Sequence, residues 1–240
     1  MREEFQTIIH RLRYVMSRCE QYIDEKGGEV PSGSSSLLEH INKISTIPDL
    51  GNVRNGCELF AGNTQLETLP ECLADATQVF TSMYKFAKDC TALRFVPRLY
   101  TDHVTTFVYA FYGCTALEEI DGLLTDAATT LGECFHNCSS LVAINEPLTV
   151  SNLTSQMDTT FTGCANLEYL RFQGSLKVDT WLSGAPKLSL ASLQSVIDSL
   201  ADLNQEAVPT SKRIYFGAKN KAKLSTTQLA SVTDKGWVLG

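Results

Sequence analysis

The sequence predicts an α/β solenoid, an array of about six stacked coils with a helix before it and a small α/β cap after it. The first observation behind this is a repeated frame. Residues 111–120 read FYGCTALEEI, 135–144 read FHNCSSLVAI and 161–170 read FTGCANLEYL, sharing Phe-x-[Gly/Asn]-Cys-x-x-Leu-x-x-[Ile/Leu]. Looser copies flank them: FAGNTQLETL at 60–69, with Asn63 in the Cys position; FAKDCTALRFV at 86–96, with one extra residue between Phe86 and Cys90; and LSGAPKL at 182–188. The second observation is spacing. Leu66, Leu93, Leu117, Leu141, Leu167 and Leu188 follow one another at 27, 24, 24, 26 and 21 residues, inside the ~20–29-residue period of a leucine-rich repeat array. The third is that no single copy can bury its own apolar side chains, so neighbours must stack.

Taken in chain order, residues 1–26 place Phe5, Ile9, Leu12, Met16, Cys19 and Ile23 at alternating intervals of four and three, the seam of an amphipathic or coiled-coil helix. Two uses fit that stripe: self-association or docking on a partner, and packing of the helix on its own domain. Gly27-Gly28 ends the helix, and residues 27–56 form a linker and N-terminal cap, with the PSGSSS loop at 31–36 leading into LLEHINKI. Residues 57–190 are the repeats. Ahead of the Phe, Val104, Phe107, Phe111 and Cys114 step by three, four and three, so a helical turn or short helix is expected there. Leu117-Glu118-Glu119-Ile120 then reads as a short strand entering a turn. Residues 191–240 form the C-terminal α/β cap: a helix through LSLASLQSVIDSLADL at 188–203, a strand KRIYFG at 212–217, a helix capped by Ser225, and a closing strand GWVLG.

Composition narrows function. Across 240 residues, 20 basic and 27 acidic side chains leave a net charge of −7, which repels a phosphate backbone and argues against a nucleic-acid partner. No run approaches the ~20 apolar residues of a membrane span, so no membrane insertion is expected. The opening residues never reach an apolar run of leader length, and the chain is expected to be made in the cytoplasm without a signal peptide.

No enzyme motif is found: His-Glu-x-x-His, Gly-x-Ser-x-Gly and a phosphate-binding Gly-rich loop are all missing, and His10, His40, His103 and His136 are scattered. No catalytic residues, metal or cofactor are assigned. Cys90, Cys114, Cys138 and Cys164 share one repeat position and are expected as a ladder of reduced, buried thiols. Cys134, His136 and Cys138 could be metal ligands by residue type, but the repeat assigns Cys138 to the core and no second pair lies at zinc spacing. The run Lys212, Arg213, Lys219, Lys221 and Lys223 reads as a solvated face. The variable residues between the strand anchors, Glu67, Thr68, Arg94, Glu118, Glu119, Val142, Ala143, Glu168 and Tyr169, are the candidate binding face, and the same positions could equally do no more than face water.

The frame FYGCTALEEI, FHNCSSLVAI, FTGCANLEYL resembles the leucine-rich repeats of the BspA-like class, found in bacterial surface proteins and in phages of gut bacteria, over about residues 57–190. KGGEVPSGSSSLLEHINKI at 26–44 and KRIYFGAKNKAKLSTTQLASVTDKGWVLG at 212–240 resemble segments of tail-associated proteins of phages of Gram-positive bacteria. The resemblance implies a non-enzymatic virion protein of the phage tail or tail fibre. Its partners would be other virion proteins or itself through the N-terminal helix, and a host-surface protein or glycan through the repeats. The alternative is a bacterial BspA-like adhesin or protein-interaction module with no virion role.

Overall fold

The computed structural model describes residues 56–69, 80–205 and 211–240, all within the unit Arg54–Gly240. The N-terminal stripe of Phe5, Ile9, Leu12, Met16, Cys19 and Ile23 lies outside the described residues.

Three very short strands follow the repeat leucines. β1 (Phe95–Val96), β2 (Glu119–Ile120) and β3 (Ala143–Ile144) form a parallel sheet in that order. Phe95 stands opposite Glu119 and Glu119 opposite Ala143, and single bridges extend this row to Thr68 on one side and Tyr169 on the other. The row Thr68, Phe95, Glu119, Ala143, Tyr169 advances by 27, 24, 24 and 26 residues, the same steps as the leucines. One position on, Leu69, Val96, Ile120, Ile144 and Leu170 are all buried.

A second set of parallel contacts joins Leu99 to Leu123, pairs β4 (Leu148–Thr149) with β5 (Phe172–Gln173), and joins Leu176 to Leu200. A third links Ser82, Thr106 and Thr130, and Met157 to Thr180. Parallel strands one repeat apart need a crossover of about a dozen residues or more, which the 24-residue period supplies.

The expected helical segment before each Phe is a chain of tight turns instead. In residues 83–90 the N–H groups alternate in direction. Those of Met83, Lys85, Ala87 and Asp89 donate to carbonyls of Thr106, Val108, Ala110 and Tyr112 in the next repeat, while those of Phe86, Lys88 and Cys90 donate three residues back. Half of the donors an α-helix needs are thereby spent between repeats. Two residues per repeat adopt positive φ, which no helix tolerates: Glu58, Lys85, Tyr109 and Glu133 in one row, and Gly62, Asp89, Gly113, Asn137 and Gly163 in the other. The second row is the [Gly/Asn] position of the frame, and these residue types enter the left-handed region most easily. A Cβ on Gly113 would stand 2.3 Å from Asp89 Oδ1, and one on Gly163 2.4 Å from Asn137 Oδ1. A side chain at one repeat therefore requires glycine at the next.

The same hydrogen bonds revise one alignment. Phe60 N–H donates to Phe86 O, Ala87 N–H to Ala110 O and Phe111 N–H to Cys134 O, so Ala87, not Phe86, occupies the Phe position. Counted from Ala87 the repeat reaches Cys90 in the standard three steps, so it carries no insertion. The Phe86 ring sits one position early and still joins the column, 5.3 Å from Phe60 and 6.2 Å from Phe111, centroid to centroid. The column continues through Phe135 at 6.1 Å and Phe161 at 5.8 Å, the rings stacked with nearly parallel planes.

Beside the rings runs the thiol ladder. Cys90 Sγ donates to Phe60 O, Cys114 Sγ to Ala87 O, Cys138 Sγ to Phe111 O and Cys164 Sγ to Phe135 O, at 3.0 to 3.1 Å. All four are free thiols with no exposed surface. Burial pushes the thiols up: Cys164 to about 12, and Cys114, Cys134 and Cys138 well above the usual range.

After the repeats, α1 (Leu190–Ser199) lies along the last strand edge. Ser189 caps it, accepting from Ser192 N–H. The row Ser192 and Ser195 on α1 replaces a missing strand. Ser192 Oγ accepts from Leu170 N–H at 3.0 Å and donates to Glu168 O at 2.9 Å; Ser195 Oγ accepts from Phe172 N–H at 3.1 Å and donates to Phe172 O at 3.2 Å. A 3-10 turn at Leu203–Gln205 follows. β7 (Lys212–Tyr215) then pairs in parallel with β6 (Thr180–Trp181) and with β8 (Trp237–Leu239), continuing the array's direction. Between β7 and β8 stand a four-residue helix, α2 (Ala218–Lys221), and α3 (Thr226–Asp234), whose capping box joins Ser225 and Gln228.

Lys223 is exposed, as the basic run leads one to expect, but its amine is tied to the end of the repeats. Its Nζ donates to Pro186 O at 3.1 Å and Leu188 O at 2.7 Å, and desolvation holds its pKa below the usual lysine range.

Candidate functional site

Two adjacent columns of outward side chains run along the first sheet. In the first, each N–H donates to the carbonyl of the preceding repeat: Arg94 to Glu67, Glu118 to Arg94, Val142 to Glu118, Glu168 to Val142, and finally Ser189 to Glu168, at 2.8 to 3.0 Å. The second is Thr68, Phe95, Glu119, Ala143 and Tyr169. The structure brings all nine residues of the candidate face onto this one surface. Glu67, Thr68, Arg94, Glu118, Glu119, Val142 and Tyr169 are exposed, and Ala143 and Glu168 are half-buried.

Phe95 belongs to the same surface at 39% exposure, although the sequence reading omits it. The signal was available, since Leu93-Arg94-Phe95-Val96 fits the frame that yields Leu117-Glu118-Glu119-Ile120. With Val142 at 38% and Tyr169 at 57%, it forms the exposed apolar content of the face.

One ion pair lies on the face, and polar contacts border it. Arg94 Nη2 lies 2.7 Å from Glu118 Oε1, with both side chains more than half exposed, a geometry worth a few tenths of a kcal/mol up to ~1 kcal/mol. Asn145 Nδ2 donates to Glu119 Oε1 at 2.6 Å, and Arg171 donates to Asn145 O at 2.5 Å. Arg98 Nη1 reaches Glu146 Oε1 at 2.7 Å across two repeats. It passes over Gly122, whose Cβ would meet Arg98 Cγ at 2.8 Å and Glu146 Cγ at 3.1 Å.

The row ends in a groove of about 260 Å³, lined by Ile144, Asn145, Tyr169, Leu170, Arg171, Ser189, Ala191 and Ser192. It opens where α1 takes over from the strands. Its floor is apolar, and a tyrosine, an arginine, an asparagine and serines stand around it.

No acid–base pair or nucleophile converges there. Cys134 and Cys138 face the core, whereas the partly exposed His136 ring packs on Tyr112, with centroids 5.0 Å apart. Among the described residues no group of three His, Cys, Asp or Glu side chains could hold a metal ion, and no helix is long and apolar enough to cross a membrane.

Comparison with protein-family models, curated proteins and solved structures finds no match to this chain.

Proposed function

We propose that the chain is a leucine-rich-repeat solenoid of the BspA-like kind and works as a non-enzymatic binding protein, a component of a phage tail or tail fibre that attaches to the host surface. The observation that carries the binding reading is the continuous face from Glu67 to Tyr169, with its exposed Phe95, Val142 and Tyr169 and the groove at its end. Its backbone is hydrogen-bonded from repeat to repeat, so the main chain that carries the outward side chains is set before a ligand arrives, and only side-chain rotamers are left to order on binding. Tyrosine and arginine are the residue types that dominate binding energies, and Tyr169 and Arg171 meet at the groove. Four carboxylates, Glu67, Glu118, Glu119 and Glu168, share the face with Arg94 and, at its end, Arg171, a balance that disfavours a polyanion as ligand. The phage setting rests on the resemblance of residues 26–44 and 212–240, and the N-terminal stripe is the candidate handle for the virion or for self-association.

The test is co-sedimentation of the purified chain with intact bacteria from a panel of Gram-positive and gut species. Wild type is expected to pellet with at least one strain, and Phe95→Ala with Tyr169→Ala to stay in the supernatant while melting like wild type. Equal pelleting of the double variant would overturn the face assignment. Labelling of a phage tail by antibodies against the chain separates the virion role from that of a bacterial adhesin.

A further inference from the structure

Along the turns that precede the Cys positions, four aromatic side chains from three repeats run together. Ring centroids are 6.2 Å apart for Tyr84 and Tyr109, 5.6 Å for Tyr109 and Tyr112, and 5.0 Å for Tyr112 and His136. Lys85 Nζ lies 4.9 Å from the centre of the Tyr84 ring, and Lys88 Nζ 5.1 Å from that of Tyr112. All six side chains are partly exposed.

The polar groups around them are held in place. Lys85 donates to Glu58 at 2.9 Å, Lys88 pairs with Asp89, and Tyr109 hydrogen-bonds Glu133, which raises the Tyr109 phenol pKa. Glu133 Oε2 is also 3.4 Å from His136 Nδ1, a buried nitrogen with no hydrogen-bond partner.

We propose that this row is a binding track for a neutral oligosaccharide lying across the three repeats. The alternatives fail on chemistry. Lys85 and Lys88 stand against Glu58, Asp89 and Glu133, so the track has no positive charge to gain from a phosphate or sulfate chain. An added peptide strand needs free N–H and C=O groups, and the N–H groups of Lys85, Tyr109 and Asn137 are spent on Val108 O, Gly132 O and Thr162 O. A dry protein interface wants contiguous apolar surface, whereas here every ring borders a charge or carries its own hydroxyl.

A sugar chain has what the row lacks: C–H faces to lie against rings, and hydroxyls that both donate to carboxylates and accept from ammonium groups. Tyrosine is suited to this because one side chain offers an apolar face and a polar tip. The fixed ion pairs present donors and acceptors without further ordering. The track is a different surface from the strand face, and it rests on the attachment reading only for the source of the sugar.

The experiment applies the full chain to a printed array of neutral oligosaccharides of glucose, galactose, mannose and N-acetylhexosamine. The strongest binder is then titrated by calorimetry at about 50 and about 300 mM NaCl, a range over which exposed charges become screened. Wild type is expected to bind with the same affinity at both salts, Tyr112→Ala and Tyr84→Ala to weaken it at least about tenfold, and Tyr169→Ala to leave it unchanged. Melting curves of each variant confirm the fold, and Tyr84, at the end of the row, is the variant to use if Tyr112→Ala melts early. Failure of wild type to bind any of these sugars overturns the proposal, as does unchanged affinity in both tyrosine variants. A ligand lost with Tyr169 and kept without Tyr84 and Tyr112 overturns it too and moves the sugar to the strand face.

Discussion

α1 closes the last strand edge with hydroxyls rather than with a strand, and this makes a sharp prediction. Ser192→Ala removes the acceptor of Leu170 N–H and the hydroxyl donor to Glu168 O. Glu168 O keeps a second donor, the N–H of Ser189 at 2.9 Å, so the loss is concentrated on one buried N–H. An orphaned buried donor costs about 1–3 kcal/mol, and the better helix propensity of alanine returns about 0.5 kcal/mol. Ser195→Ala leaves both polar groups of Phe172 without their helix partner, at a similar cost because that site is only partly buried. The double variant is expected to lose about 2–4 kcal/mol, or roughly 5–15 °C in Tm for a domain of this size. Ser199→Ala is the control: its hydroxyl donates to Ser195 O within the helix, a carbonyl that has a backbone partner available, and its removal should change little. Circular-dichroism melts give the energies, and amide hydrogen exchange gives the location, with faster exchange at Leu170 and Phe172. Wild-type stability in the double variant, or slow exchange at both amides, would refute the idea that these serines complete the sheet edge.

Three further outcomes follow from the interior and its close approaches. Iodoacetamide at pH 8 should leave Cys114, Cys138 and Cys164 unmodified in the native chain and label them only as denaturant unfolds it, read by peptide mapping; native labelling would contradict their burial. Stability should fall as pH rises above about 9, because the unfolded thiols release protons near pH 8.5 while folded Cys164 holds its proton to about 12. The folded state then binds more protons over that window, the unfolding free energy declines by about 1.4 kcal/mol per pH unit per such thiol, and Cys164→Val should flatten the urea-midpoint slope by one thiol's share. Gly184→Ala should destabilise severely, since its Cβ would stand 2.4 Å from Phe161 O and 2.6 Å from Thr162 Cα, whereas Gly122→Ala meets side-chain atoms only, Arg98 Cγ and Glu146 Cγ, and should displace the Arg98–Glu146 pair and lower the melting temperature less than Gly184→Ala does.

What could be read in the sequence is what repeats by chemical identity. Phe, Cys and Leu recur because each faces the same interior neighbour one repeat away, and the [Gly/Asn] position recurs because its backbone is left-handed. The alignment at Phe86 misleads for a related reason: two neighbouring positions feed the same aromatic column, so a ring one residue early fills it and the frame looks stretched. The helical spacing before each Phe misleads because successive 3-residue turns give nearly the same apolar period as a helix, while the N–H groups that would build one go to the next repeat. The serines of α1 and the amine of Lys223 are invisible in one dimension. Nothing local distinguishes a hydroxyl aimed at a strand edge from one aimed at water, or a surface lysine whose amine binds Leu188 O from one that binds none. The aromatic row is hidden because Tyr84 and Tyr109 occupy unlike frame positions, and they meet Tyr112 and His136, which share the position after the Phe, only when the repeats stack.

The proposed binding surfaces and the repeats' cohesion are carried by different atoms. Repeat-to-repeat hydrogen bonds come from the backbone and from inward thiols and threonines, as when Thr101 Oγ1 donates to Leu124 O and Thr125 Oγ1 to Thr149 O. The outward residues of the strand face take almost no part: the Arg94–Glu118 pair, at 64% and 52% side-chain exposure, contributes to stability on the scale of a surface pair, between 0 and ~1 kcal/mol. A column whose side chains hold nothing together can change composition from one repeat to the next at little cost to folding. That is why the frame is strict inside and loose outside, and why Glu67, Arg94, Glu118, Val142 and Glu168, chemically unrelated, stand in one line on the same backbone. Variation of that kind is what a recognition surface requires and what a purely structural array has no reason to avoid. Exposed Phe95 and Tyr169 are where the two cases can be separated: rings scattered singly on a surface need no ligand, so only loss of binding on their removal, with the fold kept, favours recognition over a purely structural array.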